Sequence, residues 1–141
     1  MKTNEQESAR DAMISIMERL KQAAEGLDAD GVLALCRSSE EFLTVVDGEI
    51  STYDQFATSE RAAFKAFLQH KLTFDTLLIR VLGADTVAAL ALFHQALTDL
   101  NGVDIHLKGE FTWIANRVDG GPWKLTYVHA RHMPDAAEEN A

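Results

Sequence analysis

The sequence predicts an α+β domain: a strongly curved antiparallel sheet of about four long strands plus a short hairpin, wrapped over three helices into a cone with a cavity. Three observations carry this expectation. Helical spacing of apolar residues is confined to the first half of the chain. The second half reads as consecutive β-prone runs separated only by "GAD", "NG" and "DGGP", all turn sequences. Helices precede the long strands instead of alternating with them, so they gather on one face of a single sheet.

The first helix is read over Ser8 to Leu27, where Ala9, Met13, Ile16, Leu20 and Ala23 or Ala24 share one face and Gly26 interrupts. Asp28 or Asp30 can cap a short second helix whose buried side is Val32, Leu33, Leu35 and Cys36. In "FLTVVDGEIS", Asp47 and Gly48 fall between two β-prone segments and suit the positive φ angles of a hairpin turn. Thr52 and Gln55 form a capping box for a third helix, which Phe56, Ala63, Phe64, Phe67 and Leu68 carry to about Gln69.

The four strands follow as "LTFDTLLIRVL", "TVAALALFHQALTDL", "VDIHLKGEFTWIANRV" and "WKLTYVHARH". The second is rich in alanine and leucine, and local propensity alone would allow a helix; its strand neighbours and short loops decide for a strand. The domain is placed at 1–133, and "PDAAEENA", 134–141, reads as an acidic disordered tail that starts where Pro134 stops the last strand.

Composition narrows the function. At 141 residues and 47% hydrophobic, the chain suits one domain with a core of its own. A net charge of -9 without a basic cluster argues against nucleic acid. The polar start lacks a signal-peptide core and no run approaches the roughly 18 apolar residues of a membrane span, so a soluble, cytoplasmic protein without a membrane partner is expected. The single cysteine, Cys36, lies among apolar residues and reads as a buried, inert thiol.

With that element order, "GEFTWIANRVDGGPWKLTYVHARH" resembles the closing strand pair of the nuclear transport factor 2-like superfamily, in its SnoaL-like bacterial branch, with a cystatin-like cone. The opening helix, "LDADGVLALC" and "VVDGEI" fall where that family has its own counterparts. The resemblance puts Trp123 and His129 at the family's tryptophan and histidine positions. It implies a fold more than a reaction, because such domains include isomerases, cyclases, dehydratases and oligomerisation modules. The ketosteroid isomerase relatives use a tyrosine from the first helix and an aspartate base in the strand after the second. Tyrosine occurs here only at Tyr53 and Tyr127, and Asp47, the nearest carboxylate to the base position, belongs to a turn where bonding to its own backbone is the simpler role. Arg131 also departs from the small hydroxyl residue that the family carries two positions after its histidine.

Strict alternation in the last strand puts Trp123, Leu125, Tyr127, His129 and Arg131 on one face, and Lys124, Thr126, Val128, Ala130 and His132 on the other. His129 and His132 therefore do not clasp one metal ion, and neither a metal nor a cofactor is expected. If the face of His129 lines the cavity, His129 can act as general acid or base and Tyr127 as a hydrogen-bond donor; otherwise both are ordinary strand residues. Phe64, Phe67, His94 and Trp113 complete the expected lining, with His94 either a core histidine or a polar group aimed into the cavity. Two functional readings stay open: a pocket for a small apolar or polar-apolar molecule, with acid-base chemistry of isomerase, cyclase or dehydratase type, and a non-catalytic module that forms a homodimer through the outer sheet face.

Overall fold

The computed structural model describes residues 4–135. Helix α1 (Asn4–Glu25) begins one turn earlier than its periodicity predicts and buries Ala9, Met13, Ile16, Met17, Leu20 and Ala24. Asp28 caps α2 (Ala29–Leu33) by accepting from the Gly31 amide at 3.0 Å. Strands β1 (Leu43–Val46) and β2 (Glu49–Ser51) form the expected hairpin, with φ of 52° at Asp47 and 83° at Gly48. The Thr52–Gln55 capping box opens α3 (Tyr53–Lys65).

Four long strands complete the chain: β3 (Phe67–Gly83), β4 (Thr86–Asp99), β5 (Asp104–Asn116) and β6 (Lys124–Pro134). The sheet is curved and unclosed, in the order β2-β1-β6-β5-β4-β3. The long strands are antiparallel neighbours, whereas β1 runs parallel to β6, so the sheet is mixed at that junction. The helices cover its concave side, and α1 packs on β3 and β4. Small side chains permit that contact: Val87, Ala89 and Ala91 of β4 are fully buried, which explains an alanine-rich segment that is nonetheless a strand.

Two further boundaries differ from expectation. The third helix ends at Lys65, and Phe67 and Leu68 belong to β3, where cross-strand pairing with β4 outweighs the helical spacing; Leu68 points outward and is exposed. Pro134 is the last residue of β6, and Asp135 is buried, its amide donating to the His106 carbonyl at 3.0 Å. The rest of the expected acidic tail, 136–141, lies outside the described residues. Among the described residues no helix is long and apolar enough to cross a membrane.

A bulge in β6 decides which face looks inward. Ile114 pairs with Tyr127 and the next residue, Ala115, pairs with Leu125, so Thr126 is an extra residue; its hydroxyl donates to the Ile114 carbonyl at 3.3 Å. Leu125 and Val128 are consequently both buried although three positions apart.

Candidate functional site

The concave sheet and α3 enclose a cavity of about 420 Å³, within the range of small-molecule sites. Most of its surface is apolar. Leu20 and Ala24 of α1 lie at one side, Phe56 and Phe64 of α3 at another, and Phe93, Phe111 and Trp113 project from the sheet. These rings brace one another: Phe93 stacks on Phe111 at 5.5 Å between centroids, and Phe111 meets Trp113 edge-on at 5.4 Å.

Into this wall the fold sets a few polar groups. The positive φ of Asp47 turns the hairpin toward β6, where its carboxylate accepts the His132 amide at 2.6 Å and faces His132 Nδ1 at 3.0 Å. With Nδ1 tied to the carboxylate, no bond engages His132 Nε2 among the described residues. Side-chain exposures of 28% for His132 and 48% for Asp47 place the pair where water reaches it. The Phe93 ring meets the imidazole edge-on at 5.4 Å across Gly109, which has no side chain to intervene.

Further in, His70 is buried, and its Nε2 lies 3.1 Å from Gln95 Nε2. Burial holds its imidazole below the usual value; Glu25 and the Ala24 backbone oppose that shift and His132 adds to it. A neutral His70 with Nε2 accepting from the Gln95 amide leaves Gln95 Oε1 as a buried acceptor without a partner among the described residues. Trp113 Nε1 is a buried donor in the same condition. Such an orphan costs about 1–3 kcal/mol. Glu60 of α3 also lines the cavity, and burial pushes its carboxyl from 4.5 up to about 7. Cys36, behind this wall, is pushed up to about 12, chiefly by burial with the nearby Glu60 adding to it, and its thiol is inert at neutral pH.

Three of the expected lining residues, Phe64, Phe67 and Trp113, are in the wall. Three others are not. Tyr127 and His129 alternate with the inward Val128, Ala130 and His132, and so occupy the outer sheet face, where His129 is exposed. The Thr126 bulge is the reason, since it reverses the parity that Trp123 would otherwise set. His94 shares the outer face with Leu90 and Leu92, its Nδ1 on Asp75 and its Nε2 3.1 Å from Asp135. Both faces of β4 are apolar, so hydropathy gave its inward side no signature. Asp47, Glu60, His70, Gln95 and His132 were not expected in the cavity. Asp47 alone had a signal, as the carboxylate nearest the base position implied by the family resemblance. Among the described residues no three His, Cys, Asp or Glu side chains cluster as a metal site would require.

No family model matches the chain, and no curated protein matches it in sequence. Solved structures do match it in fold. A nuclear transport factor 2-like superfamily protein from Salmonella enterica serovar Typhimurium is similar over 88% of this chain and 90% of its own, with a TM-score of 0.80 and 18% identity. A protein with a cystatin-like fold from Caulobacter vibrioides covers 94% and 95% at 0.74 and 17%, and a scytalone dehydratase candidate from Novosphingobium aromaticivorans covers 88% and 83% at 0.75 and 14%. The chain thus has the cystatin-like, α+β cone fold of nuclear transport factor 2-like proteins.

Proposed function

We propose that the cavity binds a small, mainly apolar molecule and that His132, oriented by Asp47, is its general base. The Asp47–His132 pair carries this reading: one nitrogen is fixed by a carboxylate and the other is left to take a proton, beside an apolar volume large enough for a ring-sized ligand. The fold likeness to a scytalone dehydratase candidate agrees with proton chemistry in such a cone. The test is hydrogen-deuterium exchange at the methyl group of 2-acetylnaphthalene in D2O, catalysed by the protein. His132→Gln should lower the rate at least about 100-fold, the usual share of a positioned base. A variant that exchanges as fast as the wild type would remove His132 from the role.

A second reading, homodimerisation through the outer sheet face, is favoured by one observation. Leu78 and Leu90 are direct cross-strand partners on that face and stay 45% and 44% exposed, with Leu92 beside them at 46%. Light scattering at about 50 μM should give twice the chain mass, and Leu90→Lys should halve it; a monomeric wild type removes this reading.

A further inference from the structure

The cavity wall contains two carboxyl side chains but no lysine or arginine. Asp47, Glu60, His70, Gln95 and His132 line the cavity. An anionic ligand would meet no lysine or arginine to balance its charge, so the wall disfavours it. Glu60 is the distinctive member. It lines the cavity, its carboxyl has no hydrogen-bond or ion-pair partner among the described residues, and the neighbouring Arg61 is turned outward onto Asp30 at 3.0 Å.

We propose that Glu60 is the specificity-determining residue of this cavity, donating a hydrogen bond to the carbonyl or hydroxyl oxygen of a neutral, ring-sized apolar ligand. The inference rests on the cavity being a ligand site, as argued above, and adds the class of ligand. An unpaired carboxyl in an apolar wall is best accommodated as the neutral acid, and its elevation to about 7 by burial supports that state near neutral pH. As the acid it presents an O–H to an acceptor; as the anion it presents none.

Other groups around Glu60 are accounted for. Cys36, beyond α2, stays a neutral thiol, and Lys124 at the start of β6 donates to the Ala34 carbonyl at 2.6 Å. His70 on β3 is held below its usual value by burial, and Glu25 of α1 accepts the Leu72 amide at 3.0 Å. Asp47 and His132 are occupied with each other.

The experiment measures binding of 2-acetylnaphthalene, a neutral ketone that only accepts hydrogen bonds, by its fluorescence between pH 6 and pH 8. In the wild type affinity should fall about tenfold as pH rises through about 7, because the acid form of Glu60 falls in that proportion. Glu60→Gln keeps an N–H donor and removes the titration, so binding should be flat with pH and within about threefold of the wild type at pH 6. Glu60→Leu removes the donor and should bind weakly at every pH, with urea unfolding confirming that both variants are folded. Naphthalene-2-sulfonate, permanently charged, should bind at least tenfold more weakly than the ketone at pH 6. Tight ketone binding with a flat wild-type profile, or the same slope in Glu60→Gln, would overturn the role of Glu60 and leave the cavity reading standing. Sulfonate binding as tight as the ketone would overturn the neutral-ligand class. Failure of the wild type to bind the ketone at any pH would overturn the cavity reading and this inference with it.

Discussion

Gly109 shows how one residue sets the geometry of the site. A Cβ there would lie 2.1 Å from the Arg131 carbonyl oxygen and 2.7 Å from Phe93 Cζ, distances that no side-chain carbon tolerates. Its absence lets the Phe93 ring cross β5 and rest against the His132 imidazole. Gly109→Ala must therefore push a ring and a backbone carbonyl apart in the middle of the sheet. We expect a loss of about 3 kcal/mol, the upper end of overpacking, read by urea unfolding. A loss under about 0.5 kcal/mol would mean that neither neighbour is held in place. The reason for this glycine is a ring two strands from His132, which no local pattern contains. Asp47 is a comparable case: its turn role was legible from Asp-Gly, but its bond to His132 joins positions 85 apart, and local patterning contains no such information.

At the scale of elements, legibility followed the range of the forces involved. The capping box at Thr52 and the turn at Asp47–Gly48 are settled within a few residues, and both stand where local chemistry put them. The end of α3 is not local. The spacing of Phe64, Phe67 and Leu68 fits a helix, yet pairing of Phe67 with Asp99 and of His70 with Leu97 draws the chain into β3. The fate of β6 is the more consequential case. Its two faces were correctly separated up to the bulge, and one extra residue, Thr126, exchanged them for the remainder of the strand. That exchange is why the cavity contains His132 and not His129. No residue type in "KLTYVH" announces a bulge; it becomes visible only when Ile114 and Ala115 are matched to their partners on β6.

The whole molecule bears the consequence of leaving its cone unfilled. Polar groups in a cavity wall are taken from water by the fold itself. Burial shifts both Glu60 and His70 toward their neutral forms, and they act on stability in opposite directions. For Glu60 the folded-state value of about 7 exceeds the 4.5 of the unfolded chain, so the folded state binds the extra proton and stability falls as pH rises from 4.5 through 7. For His70 the folded value lies below 6.5, so the unfolded chain binds the extra proton and stability falls as pH drops below 6.5. Replacing Glu60 by Gln removes only the first dependence. Wild type and Glu60→Gln should unfold at nearly the same urea concentration at pH 4, where the carboxyl is mostly protonated in both states. At pH 8 the variant should be more stable by about 3 kcal/mol, since each tenfold difference in proton affinity between the folded and unfolded chain is worth about 1.4 kcal/mol. An equal difference at both pH values would show instead that the substitution acts through packing and that the fold does not hold this carboxyl neutral.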